Sequence, residues 1–148
     1  MEPPARTEEN ADCLGCRTAR GDFAAEEVYR DERVVAVVAL HAINPGHLVV
    51  VTREHVRNAL TMEADLLCHM MLVARTLGRR LREQLQCPGI MLVFNNEEPC
   101  QSLFHAHLHV VPRYHGDEMD VKYGSAPERF EREAMAARLR PVLAAPLD

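Results

Sequence analysis

Short apolar runs and one long amphipathic segment alternate along the middle of the chain. Residues 28–40 are rich in valine and are interrupted by an acidic pair, which predicts two strands joined by a tight turn. A Pro-Gly turn signal then leads into a third β-branched run at residues 47–51. Between residues 61 and 86 the apolar positions recur every three or four residues, which predicts a helix with one buried face. Those positions are Leu66, Met70, Val73, Leu77, Leu81 and Leu85.

The chain returns to strand-like patterns after this helix. A Cys-Pro-Gly sequence at residues 87–89 ends the helix, and residues 90–94 form an apolar run typical of a strand. A polar loop follows at residues 95–102, and residues 105–111 alternate between polar and apolar side chains up to Pro112. The order of strands, long helix and strands predicts an α+β fold with an antiparallel sheet.

The two ends of the chain differ from its centre. Residues 1–11 contain two prolines and four charges and are expected to be a flexible lead-in. Ser125 and Glu128 form a capping-box pattern, which predicts a C-terminal helix running to about Arg140. We therefore expect one domain over residues 12–140 and a loose tail over residues 141–148.

Composition excludes several classes of protein. Of the 148 residues 47% are hydrophobic and 26% are charged, as in ordinary globular proteins. The longest strongly apolar stretch, residues 34–40, is too short to cross a membrane. The first residues show neither the basic nor the apolar region of a signal peptide, so a cytoplasmic location is expected. A net charge of -5 argues against a nucleic-acid partner.

Three histidines dominate the candidate chemistry. His105, His107 and His109 occupy alternate positions of a predicted strand, so their side chains are expected on one face, about 7 Å apart along it. They could be three solvated histidines or the ligands of one metal ion. They could also act as nucleophile and acid–base groups on a phosphoryl group, since a neutral imidazole can attack phosphorus.

A second candidate is the Cys13-x-x-Cys16 pair. Five cysteines in a chain without secretory features do not indicate a disulfide framework. The pair alone is compatible with chance, with a redox pair or with half of a zinc site. A zinc site needs two further ligands, and His55 and His105 lie near the ends of predicted strands.

These motifs resemble those of a known family. The stretch at residues 105–111 reads His-φ-His-φ-His-φ-φ, where φ is apolar, and this is the signature of the histidine triad (HIT) superfamily of nucleotide hydrolases and transferases. Four other segments resemble the family in the same order along the chain. They are the Asp-Cys-x-x-Cys opening at 12–16, the first hairpin at 28–36, the Pro-Gly-His strand entry at 44–50 and the Gln-Ser-aliphatic-aromatic lead-in at 101–104.

The resemblance implies a five-stranded antiparallel sheet, a homodimer and a set of roles. His107 would attack the α-phosphorus of a nucleotide conjugate and form a covalent nucleotidyl-histidine, which water would hydrolyse. His109 would contact the phosphate and help to protonate the leaving group. His47 would fix the orientation and tautomer of an imidazole. The phosphate-binding candidates are Ser102, Gln101 and Asn95.

The resemblance also implies a metal site. The positions that bind zinc in bacterial members correspond here to Cys13, Cys16, His55 and His105. Four protein ligands leave no open position, so the zinc would be structural and no metal would be required for catalysis. A zinc-stabilised nucleotide-binding module with little turnover is the alternative function.

Two departures from the family pattern bear on the substrate. Ala39 stands where many members have an Asp or Asn that holds the ribose, and His41 is expected on the same strand face. The loop before the histidines contains Glu97 and Glu98, lacks the usual glycine and is one residue shorter. Acidic side chains pointing inward there would repel an anion.

Overall fold

A computed structural model describes residues 13–119 and 124–144. Along the chain the elements are α1 (Leu14–Arg20), β1 (Glu27–Arg30), β2 (Val34–Val38), β3 (Leu48–Thr52), a 3₁₀ turn (Ala59–Thr61), α2 (Ala64–Leu85), β4 (Gly89–Phe94), β5 (His107–Arg113) and α3 (Arg129–Leu143). The lead-in expected at residues 1–11 lies outside the described residues.

The five strands form one antiparallel sheet in the order β1-β2-β3-β5-β4. The last strand of the chain is therefore inserted between β3 and β4. This confirms the predicted α+β fold and places the histidine strand in the interior of the sheet. Residues at its centre are held by hydrogen-bonded strands on both sides, a more rigid setting than a sheet edge.

The main core lies between helix α2 and one face of the sheet. Leu66, Met70 and Val73 of α2 are buried against this face, as the periodicity predicted. Leu108 and Val110 of β5 belong to the same core and are 0% exposed. Because side chains alternate along a strand, the neighbouring His107 and His109 lie on the opposite face.

Helix α1 was not predicted, and it packs against β2 and β3. Its seven residues are too few for a recognisable helical period. Cys16 and Ala19 are buried on it, and Gly21 ends it with a left-handed φ of 80°. The Cys-x-x-Cys pair therefore lies at the first turn of a helix.

Strand β5 differs from the prediction at both ends. It begins at His107, two residues later than expected, and runs through Pro112 to Arg113. The pairing with β3 ends at Val110, so Pro112 pairs with Ile90 of β4 where β5 has only one neighbour strand. A residue without an N–H is tolerated at such a position.

The turn before β3 is tied to the end of β5. Gly46 has a φ of 86°, and a Cβ there would lie 2.3 Å from Leu85 Cδ1, so the turn requires glycine. The Asn44 amide donates to the Pro112 carbonyl and to Asp117, at 2.8 Å each. Arg113 binds the same carboxylate with two nitrogens, which lowers the pKa of Asp117.

The described residues divide into two compact units, one up to Glu118 and one from Met119. Helix α3 belongs to the second unit. Its N-cap is Glu128, in a capping box with Glu131, so the predicted start at Ser125 is wrong. The helix continues to Leu143, so residues 141–143 are helical and were wrongly assigned to the tail. Within the described ranges, no helix combines the length and apolarity that a membrane crossing needs.

Two adjacent methionines test the location of the core. Met70 is 0% exposed and Met71 is 40% exposed. Replacing Met70 by Ala should lower the free energy of unfolding by about 2–5 kcal/mol, because it leaves a cavity under α2. Met71→Ala is the matched control and should cost less than about 1 kcal/mol. Urea unfolding measures both, and equal losses would contradict the assigned helix face.

Candidate active site and metal cluster

The two histidines of β5 lie side by side on the face of the sheet opposite α2. His107 pairs with Val51 of β3, and His109 pairs with Val49. Their ring centroids are 4.9 Å apart. His107 is 9% exposed, so its ring is largely enclosed.

The hydrogen bonds of His107 determine which ring nitrogen is free. Its Nδ1 lies 2.7 Å from the backbone carbonyl oxygen of His105. A carbonyl only accepts, so Nδ1 carries the proton and donates it. In the neutral ring Nε2 then has a free lone pair, and it makes no hydrogen bond within residues 13–119. A neutral imidazole with a lone pair free of hydrogen bonds can act as a nucleophile.

A second chain of hydrogen bonds orients His109. The Ile43 N–H donates to His47 Nδ1 at 3.1 Å, so the proton of the neutral His47 ring is on Nε2. That Nε2 donates to His109 Nδ1 at 2.9 Å. The neutral His109 ring consequently carries its proton on Nε2. Through this hydrogen bond His47 orients the imidazole of His109, as the family resemblance implied for one of the histidines.

The electrostatics favour these neutral rings. Burial lowers the pKa of His109 to about 4, and the neighbouring His107 and His47 act in the same direction. Burial also lowers the pKa of His47. At neutral pH His47 and His109 are therefore uncharged, as the tautomers above require.

The loop between β4 and β5 contains the candidate phosphate donors. Ser102 is exposed, and its hydroxyl has no hydrogen-bond partner in the described part of the chain. Asn95 follows the last residue of β4, Phe94, which pairs with Leu108. Continuing that register by one residue places Asn95 opposite His107.

Gln101 has a different position from the one expected. It is 4% exposed, and its Nε2 donates to the carbonyls of Arg57 and Leu103 at 2.8 and 2.9 Å. Its Oε1 accepts from Asn58 and from the Glu97 N–H. Both side-chain hydrogens are committed, so the expected side-chain bond to phosphate is not available in this arrangement. Gln101 instead holds the loop in place.

The third histidine of the motif belongs to another cluster. His105 precedes β5, its ring is 0% exposed, and it packs edge-on against His55. Strand β5 begins only at His107, so His105 is not part of it as expected. Because His105 is fully buried and His107 is largely buried, three solvated histidines on one face are ruled out.

Four side chains form this cluster, and their ligand atoms all lie within 4.8 Å of one another: Cys13, Cys16, His55 and His105. Cys13 Sγ and Cys16 Sγ are 3.4 and 3.5 Å from His105 Nδ1, and Cys16 Sγ is 3.3 Å from His55 Nδ1. Tetrahedral zinc holds its ligands about 3.5 Å apart. This is the predicted set, and in residues 13–119 and 124–144 it is the one group of this kind.

The chemistry of the cluster fits a metal ion. His105 Nε2 lies 2.8 Å from the Thr52 carbonyl, so it donates there and leaves Nδ1 free to ligate. Burial, followed by the neighbouring Cys13, raises the pKa of Cys16 to about 11. A bound cation would favour the ionised form of the Cys16 thiol. These residues could therefore hold zinc.

Two contributors to this cluster were missed in the sequence. A Cβ at Gly15 would lie 2.3 Å from the His105 ring, so only glycine permits this approach of α1. Thr52 orients the same ring from β3. A glycine inside the Cys-x-x-Cys pair was the available signal, whereas nothing local marked Thr52.

The first departure from the family pattern has a structural consequence. Strand β2 ends at Val38, so Ala39 and His41 do not share a strand face as expected. His41 is exposed within the turn that follows.

Comparisons with known proteins agree with this geometry. The family model of the HIT domain matches residues 20–116. An uncharacterized HIT-like protein of Methanocaldococcus jannaschii is 34% identical over 113 residues, which cover 76% of this chain and 87% of that protein. A crystal structure from Streptococcus mutans has a TM-score of 0.84 at 31% identity, over 98% of this chain and 91% of that one. A Zn-bound histidine triad family protein from Mycobacterium smegmatis has a TM-score of 0.71 at 27% identity, over 90% and 99% of the two chains.

The low pKa of His109 predicts loss of stability in acid. Below its ordinary pKa of 6.5 the unfolded residue binds a proton, whereas the folded one does not until about pH 4. The free energy of unfolding should therefore fall between these pH values, by up to about 1.4 kcal/mol per pH unit for this one group. Urea unfolding at several pH values measures the slope.

The control separates His109 from the other histidines. His109→Asn should flatten the slope, whereas replacing the exposed His115 by Asn should leave the wild-type slope. Identical slopes in wild type and His109→Asn would contradict the assignment.

Proposed function

Since this chain belongs to the HIT domain family, we propose that it hydrolyses nucleotide conjugates at the α-phosphate through a covalent intermediate on His107. The substrate class is a nucleoside phosphoramidate or a dinucleoside polyphosphate. The observation that carries the proposal is the His107 tautomer, in which Nδ1 donates to the His105 carbonyl and Nε2 presents a lone pair.

The first step forms one bond and breaks another. His107 Nε2 attacks the α-phosphorus, and the leaving group departs with the bonding electron pair and takes up a proton from solvent. The imidazole becomes positively charged as the N–P bond forms, and the hydrogen bond to the His105 carbonyl stabilises this charge. Water then attacks the phosphorus and loses a proton to solvent, while the N–P electron pair returns to Nε2; a nucleoside monophosphate and neutral His107 result.

His109 and the loop bind the phosphoryl oxygens. His109 Nε2 donates a hydrogen bond to a phosphoryl oxygen or to the leaving-group atom, because its Nδ1 is occupied by His47. Ser102 and Asn95 donate from the loop. Donors fixed in advance stabilise the charge that develops in the transition state. Gln101 contributes by holding that loop.

Zinc has a structural role in this proposal. Cys13, Cys16, His55 and His105 would hold it and leave no open coordination position. When bound, the ion links α1 to the residue whose carbonyl orients His107. The Zn-bound relative from Mycobacterium smegmatis supports this assignment, and the catalytic steps need no metal.

The setting of the enzyme is also proposed from the sequence. We infer a cytoplasmic protein with a nucleotide-type small molecule as its substrate, and without a nucleic-acid or membrane partner. A homodimer, expected from the family resemblance, belongs to the same proposal.

Removal of the nucleophile should abolish turnover. His107→Ala should lower the hydrolysis of an adenosine phosphoramidate, and of a diadenosine polyphosphate, by at least about a thousandfold. The control His115→Ala changes an exposed histidine and should retain wild-type rates. Rapid quenching of wild type should trap an acid-labile phosphate that His107→Ala does not form.

The results separate the two candidate functions. Tight binding of AMP by wild type without hydrolysis of either substrate would favour the nucleotide-binding module. Equal rates for wild type and His107→Ala would reject His107 as the nucleophile.

A methyl group at residue 15 should damage the metal site. Gly15→Ala places a Cβ against the His105 ring, so the four ligands cannot converge. Zinc affinity, measured by competition with a chromophoric chelator, should fall by about 10–100-fold. Leu14→Ala, an exposed neighbour on the same helix turn, should bind zinc as wild type does. Unchanged affinity in Gly15→Ala would contradict the proposed site.

A further inference from the structure

The loop between β4 and β5 contains two acidic residues in a region expected to bind an anion. Glu97 and Glu98 follow Asn95 and Asn96 and precede Ser102 by a few residues. An unpaired carboxylate beside a phosphate would weaken binding by repulsion. The position of each carboxylate therefore determines whether the loop can serve the proposed reaction.

The Glu97 carboxylate is bound by three donors from the segment that follows β3. Arg57 Nε and Nη2 donate to its two oxygens at 2.7 and 2.8 Å. Asn58 Nδ2 donates to Oε1 at 2.6 Å. Hydrogen bonding to Arg57 and then to Asn58 lowers the pKa of Glu97 to about 2. The carboxylate is thus ionised, paired and directed toward Arg57.

The backbone around Glu97 depends on the same contacts. Its φ is 63°, in the left-handed region that most residues avoid. The Glu97 N–H donates to Gln101 Oε1, and its carbonyl accepts from the Gln101 N–H, both at 2.9 Å. Asn58, which is 1% exposed, donates to both Glu97 and Gln101. Glu97, Asn58 and Gln101 therefore close the loop as one hydrogen-bonded unit.

The partner of Glu97 also contacts the approach to the active strand. The guanidinium carbon of Arg57 lies 4.2 Å from the centroid of the Phe104 ring, which directly precedes His105. The Ala59 N–H adds a further hydrogen bond by donating to Asn96 Oδ1 at 2.9 Å. The loop is thus fastened to one segment at several points between its two donor residues.

We propose that Glu97 is a positioning residue, whose carboxylate ties the loop to Arg57 and Asn58 and so holds Ser102 and Asn95 beside His107. Arg57 has two effects, since it anchors Glu97 and neutralises the charge that would repel the substrate. This inference rests on the proposed function, because it assigns Glu97 to the binding of the substrate phosphate. Glu98 is exposed, makes no hydrogen bond within the described chain and provides the matched control.

The positioning role and simple repulsion predict opposite effects. If Glu97 acted mainly as a negative charge near the anion, Glu97→Gln would lower KM and tighten AMP binding. If it positions the loop, Glu97→Gln loses the two-point bond to Arg57, and both AMP affinity and kcat/KM fall. A displacement of about 1 Å in a positioning group can cost up to about a hundredfold in rate.

The experiment uses the full chain with adenosine phosphoramidate as substrate and AMP as binding probe. Glu97→Gln should lower kcat/KM and AMP affinity by about tenfold, while Glu98→Gln stays within about twofold of wild type. Hydrogen exchange of the Cys100 and Gln101 amides should speed up in Glu97→Gln alone. Thermal unfolding of each variant verifies that the rest of the fold is intact.

A third variant tests the charge. Arg57→Ala frees an ionised Glu97 and should lose more activity than Glu97→Gln. Adding Glu97→Gln to Arg57→Ala should restore part of that loss, and added salt should lessen the defect of Arg57→Ala. If Arg57 had only a structural role, neither the added Glu97→Gln nor salt would restore activity to Arg57→Ala.

The outcomes distinguish the role of Glu97 from the proposed hydrolase activity. Turnover by wild type with unchanged kinetics and exchange in Glu97→Gln would overturn the role of Glu97 alone. AMP binding without turnover, weakened by Glu97→Gln, would overturn the hydrolase and support the positioning role. Failure of wild type both to bind AMP and to turn over the substrate would overturn both.

Discussion

The hydrogen bond from His107 Nδ1 to the His105 carbonyl is the constraint on which the site depends. It sets the tautomer of His107 and so decides which nitrogen keeps a free lone pair. The Nδ1 of His105 lies 3.4 and 3.5 Å from the two cysteine sulfurs. The backbone of one residue therefore serves the candidate active site, and its side chain serves the metal cluster.

The two faces of β5 have different roles. One face packs Leu108 and Val110 under α2, and this burial supplies a large share of the folding free energy. The other face presents His107, which pairs with β3, and His109, which pairs with both neighbouring strands. Polar groups in this position are rigid because the core beneath them is rigid. The geometry of the candidate site therefore depends on the packing on the opposite side of the sheet.

Much of the fold could be predicted because its signals are local. The valine-rich runs, the long amphipathic helix and the turn before His47 each depend on neighbouring residues. Errors occurred where longer-range contacts decide. Strand β5 continues through Pro112 because its pairing with β3 stops at Val110 and only β4 lies beside it there. Two other errors were local: helix α1 is too short to show a period, and the capping box of α3 forms between Glu128 and Glu131 instead of at Ser125.

For the candidate site, the sequence identified the candidate groups, namely the histidines of the motif and the Cys-x-x-Cys pair. Residue type and spacing suffice for that, since only a few side chains attack phosphorus or bind zinc. The tertiary structure was needed to show that Gln101 holds the loop and that Arg57 pairs with Glu97, 40 residues away. These outcomes depend on distances between segments remote in sequence, which no local pattern encodes.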